Sequence, residues 1–401
     1  MNTTVLAARR LVTADGMVEH PRIAIDGDGM IAAIEPGEPD AEVPGVAEAT
    51  LTAAFFDIHV HGAAGHDAME GTTGALARIG EFLATKGVAY YLATTVTAQV
   101  ERTLRALDGI ANAIERAQPQ GNTDGARPLG IHLEGPFISH AKRGVHPPSE
   151  IQPPSIPLFE KMRQAARGHI RLMTIAPEVP GALDLIEYAT GAGTHVSVGH
   201  SDATAEQTRA AIAAGAGSAT HTFNAMRRLD HREPGIAGVV LDAGALYAEL
   251  ICDGIHVAPE FVRMWLRAKT EERAILVTDG ISATGMPDGE YMLGDFAVTV
   301  ADGRCLLTSD LRAGVETLAG SVLTMDRAVA NLRRFTGASL ATAVRLASRN
   351  PARMLGLGDL GEIAVGRAAN FNVYSADGEL RQTILRGRVV ETGSSPSDLP
   401  S

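Results

Sequence analysis

HVSVGHSDATAEQTRAAIAAGAGSATHTFN, residues 195–224, decides how this chain folds. HVSVGHS is a short apolar run that ends at His200, and SATHTFN is a second run that carries His221. Between them EQTRAAIAAG (206–215) is helix-forming. A strand, a helix and a further strand in that order read as consecutive βα units, with both strands parallel and their ends side by side.

The same grammar extends in both directions. GVAYYLATTV (87–96), PLGIHLEG (128–135), HIRLMTIA (169–176), LYAELICDG (246–254) and RAILVTDG (273–280) are further apolar runs, and helix-forming stretches such as VRMWLRAK (262–269) separate most of them. Strands alternating with helices predict a parallel sheet with both faces covered. The units are too numerous for a small open sheet, whereas a closed (β/α)8 TIM-like barrel of about 250 residues fits. A doubly wound sheet is the competing architecture. It lacks support, because no Gly-x-Gly-x-x-Gly follows an early strand and no Gly-x4-Gly-Lys-Ser/Thr loop occurs.

The chain ends read differently. RIAIDGDGMIAAI (22–34) alternates around an Asp-Gly-Asp-Gly turn, a hairpin signal. In AANFNVYSADGELRQTILRGRVVETG (368–393) short strands flank a turn at Ala376, Asp377 and Gly378. Neither end alone would bury a useful core. Residues 1–54 and 356–401 are therefore expected to pack together as one small β-sandwich beside a barrel spanning 55–355, with SSPSDLPS at the end frayed.

Composition narrows the function. The 401 residues are 45% hydrophobic and 20% charged, as in soluble globular proteins. A formal net charge of −12 argues against nucleic-acid binding, which needs a basic footprint. It leaves room for an anionic small substrate held by a few arginines. From the opening MNTTVLAARRLV, which has no long apolar run, neither a signal peptide nor a membrane span is expected. Cys252 and Cys305 cannot form a disulfide scaffold, so a reducing, cytoplasmic setting is expected.

The chemistry-bearing residues recur where strands end. FFDIHVHG (55–62) carries His59 and His61, two apart on a strand, so both imidazoles face the same way and can reach one metal. GIHLEGPF (130–137) places Glu134 at the end of an apolar run, where a carboxylate is costly to bury unless it is paired or bound to metal. Its two oxygens can bridge two ions. His132, on the same face but deeper, reads as structural. His200 and His221 occupy matching positions on consecutive units and complete a site of nitrogen and oxygen ligands. In AILVTDG (274–280) Asp279 closes a strongly apolar strand, well placed as a general base near the metal or as a metal-facing group itself. The alternative is a helix N-cap, since a glycine and a serine follow.

HVHG, HLEGPF, KRGVHP, VGHSDA, THTFNAM, REPGIAG, CDGIHV, VTDG and LAGSVLTMDRAVANL stand in an order and spacing that resembles the N-acetylglucosamine-6-phosphate deacetylases, metal-dependent amidohydrolases. NPARMLGLGDLGEIAVGRAANF (350–371) is similar to that family's return from barrel to small domain. The resemblance implies hydrolysis of the acetamide of a phosphorylated amino sugar. It implies Glu134, His200 and His221 as ligands of a principal metal, with His59 and His61 as the pair supporting a second, and Asp279 as catalytic acid/base. His146 would contact the acetyl region and assist catalysis, beside Val145. His256 would bind substrate, Arg232 the 6-phosphate, with Asn224 and Ala225 contributing from the adjoining loop. Leu318, Ala319, Gly320 and Ser321 would line the sugar pocket. One or two divalent ions, zinc or iron, and a homodimer are the implied cofactor and assembly. The chain departs from the family at Val145, where a smaller residue is usual, and at Thr222, where an apolar one is usual.

Overall fold

A computed structural model describes residues 4–37, 48–117 and 125–391. The terminal SSPSDLPS lies outside the described residues.

Eight parallel strands form the central sheet: β1 (Phe55–Val60), β2 (Val88–Thr95), β3 (Arg127–Glu134), β4 (Ile170–Ile175), β5 (His195–Val198), β6 (Ser218–Ala219), β7 (Tyr247–Ile251) and β8 (Ala274–Val277). Each pairs in parallel with its sequence neighbour. β8 returns to β1: the Asp279 N–H donates to the His59 carbonyl at 2.8 Å and the His61 N–H to the Gly280 carbonyl at 2.8 Å. The barrel expectation holds. β1, β2 and β8 are buried along their whole length, as expected of strands covered on both faces.

Helices follow the strands as the alternation requires: α1 (Thr73–Thr85), α2 (Val100–Arg116), α3 (Ile156–Ala165), α4 (Ala182–Gly191), α5 (Ala205–Ala213), α6 (Gly235–Asp242), α7 (Pro259–Arg273) and α8 (Met325–Thr336). The β5–α5–β6 unit shows the local reasons. Thr204 caps α5, its side chain accepting from the Gln207 N–H while the Gln207 side chain accepts from the Thr204 N–H. Ala205, Thr208 and Ala211 form its buried face.

The two chain ends meet in a six-stranded sheet. Its middle is the antiparallel pair of Thr50–Ala53 with Phe371–Tyr374. A three-stranded sheet of Thr4–Ala7, Pro21–Ile25 and Ile31–Pro36 faces it, and Leu11, Ile23, Ile31, Leu51, Phe371 and Ile384 share one core between the two sheets. The hairpin read from the Asp-Gly-Asp-Gly turn is the pair Pro21–Ile25 with Ile31–Pro36. Thr50–Ala53 runs straight into β1, so this small domain is fixed to the strand that carries His59.

One element goes beyond the sequence reading. After β8, Gly289–Leu293, Phe296–Ala301 and Arg304–Leu307 form a three-stranded antiparallel sheet with its own core of Ile281, Leu293, Val298, Val300 and Ala319. Gly-Asp at 294–295 and Asp-Gly at 302–303 are the hairpin turns that announce it. This sheet and the chain leading out of it stand over the barrel mouth.

Close backbone approach secures the β1–α1 connection. Gly109, inside α2, lies so near the Gly71 carbonyl that a Cβ there would come within 1.8 Å of the oxygen. Helix propensity alone favours alanine at this position by about 1 kcal/mol. The collision with backbone reverses the sign: Gly109→Ala is expected to destabilise by about 1–3 kcal/mol, read as a lowered melting temperature in thermal denaturation.

Candidate metal centre and active site

The imidazoles of His59, His61, His200 and His221 and the carboxylates of Glu134 and Asp279 converge just beyond the C-terminal ends of β1, β3, β5, β6 and β8. All six are buried. Their ligand atoms fall into two groups, His59–His61–Asp279 and Glu134–His200–His221, with the atoms of each group within 4.8 Å of one another. Glu134 joins them. Its Oε1 lies 3.1 Å from His221 Nε2, 3.3 Å from His200 Nε2 and 3.4 Å from His59 Nε2, and its Oε2 lies 3.0 Å from His61 Nε2. Asp279 Oδ1 is 3.3 Å from both His59 Nε2 and His61 Nε2.

These side chains reach one point because the backbone bends sharply after the strands. His200, His221 and Asp279 all adopt left-handed conformations, with φ of 46°, 28° and 51°. Such values are unfavourable for residues with a Cβ and persist where surrounding structure enforces them. Asp279 is held on both sides, its N–H donating to His59 and its carbonyl accepting from the Ser321 N–H at 2.8 Å. It caps no helix, so the N-cap alternative falls. Gly320 packs on the same turn, where a Cβ would meet Ile281 Cγ2 at 2.4 Å and the Asp279 carbonyl at 3.0 Å.

The hydrogen bonds behind the ring set the tautomers. His200 Nδ1 lies 3.0 Å from the Lys142 carbonyl, which can only accept, so Nδ1 carries the proton and Nε2 presents a bare lone pair. His59 Nδ1 donates in the same way to Glu249 Oε2 at 3.1 Å, and His59 Nε2 is buried without a hydrogen-bond partner. His200 Nε2 and His221 Nε2 lie only 3.0 Å apart. The bare nitrogens of His59 and His200 face Glu134 Oε1 at 3.4 and 3.3 Å, an arrangement that repels unless a proton or a cation lies between them. The donor set therefore fits one or two divalent cations held by imidazole and carboxylate.

Charge balance points the same way. Burial works against a charged His61, yet Asp279 and Glu134 outweigh it and push its pKa up to about 9. Burial also opposes ionised Glu134, but His59, His200 and His221 hold its pKa well below the usual carboxylate range. His146 behaves oppositely: burial, and then neighbouring His200, lower its pKa to about 3. His146 Nδ1 lies 2.7 Å from Thr97 Oγ1 and accepts from the Thr97 N–H at 3.3 Å; with Nδ1 the acceptor of both, neutral His146 carries its proton on Nε2, which faces Glu134 Oε2 at 3.8 Å.

A cavity of about 330 Å³ opens over these groups. Val145, His146, Asn224, Ala225, His256, Leu318 and Gly320 line it together with His61, Glu134, His200, His221 and Asp279. His256 is oriented by Asp253, its Nδ1 lying 2.6 Å from Asp253 Oδ2. One sequence expectation needs correction, that Ala319 and Ser321 line the pocket. Ala319 and Ser321 are buried behind the wall, where the chain bends at Gly320 with a φ of 60°; Ser321 Oγ donates to the Thr278 carbonyl. Arg232 is exposed in a turn where its N–H donates to Asp230 Oδ1, and it does not line the cavity. The Asn224 N–H closes the turn on the His221 carbonyl at 3.0 Å. His132 is structural as expected, its Nε2 bonded to Thr174 Oγ1 at 2.8 Å.

Sequence reading passed over Glu249, Thr97 and Asp253. Glu249 had a signal, a carboxylate within the apolar run LYAELICDG, the same feature that exposed Glu134. Thr97 and the Lys142 carbonyl had none, since they matter only through where the fold brings them.

The profile of the amidohydrolase family matches residues 50–390. The chain belongs to the amidohydrolase family. It is 37% identical over 393 residues to the N-acetylgalactosamine-6-phosphate deacetylase of Escherichia coli O157:H7, covering 96% of this chain and 99% of that one. It is 35% identical over 393 residues to the N-acetylglucosamine-6-phosphate deacetylase of Vibrio furnissii, covering 97% and 96%. Among solved structures it resembles a Mycobacterium smegmatis N-acetyl-D-glucosamine-6-phosphate deacetylase variant in complex with N-acetyl-D-glucosamine-6-phosphate, with a TM-score of 0.89, 34% identity and coverage of 98% and 100%. The family resemblance drawn from the motifs is borne out.

Two outcomes are expected for this amidohydrolase. His59→Ala removes a ligand from one group only and should cost one metal position, whereas Glu134→Gln touches both and should deplete both, as elemental analysis would show. Protons compete with the cation at His61, protonated below about 9 in the metal-free protein. Apparent metal affinity should therefore rise as pH increases from 6 towards 9, measured by titration against a competing chelator.

Proposed function

We propose that this amidohydrolase removes the acetyl group of N-acetyl-D-glucosamine 6-phosphate, giving D-glucosamine 6-phosphate and acetate. The observation that carries the reading is the buried ring of four imidazoles and two carboxylates at the floor of a sugar-sized cavity. The deacetylase relatives, matched over nearly their full length, supply the substrate class.

A divalent cation bound in the ring acidifies water and polarises an amide carbonyl. Glu134, His200 and His221 hold the principal position, with His59, His61 and Asp279 forming the second. Asp279 takes the proton of the attacking water, to which its left-handed turn presents the carboxylate. It then returns that proton to the amine nitrogen as the C–N bond breaks. His146, kept neutral with Nε2–H facing inward, donates to the oxygen of the tetrahedral centre. The acyl group lies against Val145 and His146 after β3. The opposite rim, after β6 and β7, offers Asn224, Ala225 and His256 to the phosphorylated end, and Leu318 and Gly320 border the sugar.

Zinc or iron suits this mixture of imidazole and carboxylate. We further propose a cytoplasmic homodimer. The exposure of Arg232 beside the β6 rim agrees with a phosphate contact made across a subunit interface. Among the described residues no helix is long and apolar enough to cross a membrane.

Acetate release by metal-loaded protein tests the reading. Turnover of N-acetylglucosamine 6-phosphate should exceed that of unphosphorylated N-acetylglucosamine, and Asp279→Asn should lower kcat by roughly 10²- to 10⁴-fold with metal still bound at the Glu134–His200–His221 position. Equal rates on both sugars would remove the phosphate from the recognition scheme, and an active Asp279→Asn variant would remove Asp279 as the base.

A further inference from the structure

Glu249 sits in the interior of β7, fully buried, and touches both metal-binding groups through a single oxygen. Its Oε2 accepts from His59 Nδ1 at 3.1 Å and from the His221 N–H at 3.3 Å. Its own carbonyl accepts from the Thr222 N–H at 2.8 Å. Side chain and backbone of Glu249 thus hold the turn in which His221 is forced to a φ of 28°. The His59 and His221 rings stack above it, with centroids 5.5 Å apart and an interplanar angle of 30°. Its Oε1 is buried with no hydrogen-bond partner.

A carboxylate wholly removed from water is retained only where its charge is used. Here it is neither a member of the two ligand groups nor part of the cavity wall. An acceptor behind Nδ1 places the proton there and leaves Nε2 bare towards the centre, and a charged acceptor makes that nitrogen a stronger ligand. The same oxygen fixes the backbone of a ligand of the other group.

We propose that Glu249 is a positioning residue that couples the two metal positions, setting the tautomer and basicity of His59 while clamping the strained turn of His221. This rests on the metal-centre reading above. Loss of its charge weakens binding at both positions, and more at the one formed by His59, His61 and Asp279, where it acts on the ligand ring itself. It touches no substrate.

Cobalt(II) titration of chelator-stripped protein, followed by visible absorption and checked by elemental analysis, tests this. Glu249→Gln is expected to weaken cobalt binding roughly tenfold to a hundredfold, most at the second position, with an altered absorption band. In a His59→Asn background the same substitution should have no further effect on the His59–His61–Asp279 position and should keep only the weakening that acts through the His221 turn. A purely structural role would instead lower the melting temperature of the metal-free protein and leave both affinities and the spectrum unchanged, which would overturn the proposal. An equal total effect of Glu249→Gln on the two positions with and without His59 would overturn it too, since the coupling requires that part of the action run through that ring. Failure of the unaltered protein to bind cobalt would strike the metal-centre reading itself, an outcome separate from a variant that binds like the parent.

Discussion

Everything at the mouth of this barrel answers to the electrostatic demand of Glu134. Its carboxylate is buried and lies within 3.4 Å of four imidazole nitrogens. A second carboxylate, Asp279, shares two of those nitrogens. Two negative charges this close and this deep require compensation, because the interior offers little solvation. Protons on His59 and His61 can supply it, and so can a divalent cation, which adds the Lewis acidity that amide hydrolysis needs. The elements that bring ligands together are those a barrel provides: the ends of β1, β3, β5, β6 and β8, separated in sequence and adjacent in space.

Positioning is enforced from behind. Lys142 offers a backbone carbonyl to His200, Glu249 a carboxylate to His59, and the Thr97 N–H meets His146. Each leaves one ring nitrogen committed and the other aimed at the site. Asp57 performs the related service for the seam, accepting from Thr278 and from the His59 N–H. Burial lifts the pKa of this carboxyl to about 7 against those bonds. The left-handed turns at His200, His221 and Asp279 are unfavourable one by one, and the bonds that pin them explain why they persist.

The cavity is built asymmetrically from elements of different origin. Its floor is barrel. The wall beside Leu293, Thr317 and Leu318 comes from the three-stranded sheet inserted after β8 and the chain leaving it. Loops after β6 and β7 form the opposite rim with Asn224, Ala225 and His256. A net charge of −12 does not by itself oppose an anionic small molecule, because such binding answers to the local donors of a site and not to the overall charge.

The sequence by itself determined the barrel, the pairing of the chain ends in a small domain, and the histidines and carboxylates that meet at the barrel mouth. Apolar runs alternating with helical stretches are local signals, and a lone His, Glu or Asp at the end of such a run stands out against its neighbours. Glu249 was legible by the same rule, though it acts from within its strand and not from the end. Tertiary structure alone decided which residues meet. His59 and Asp279 become neighbours only when β8 closes on β1, and Thr97 reaches His146 only through the packing of loops. The inward or outward sense of residues 318–321, the exposure of Arg232 and the engaged N–H of Asn224 follow from turn geometry. That geometry is set by contacts with segments far along the chain, so no local pattern encodes it.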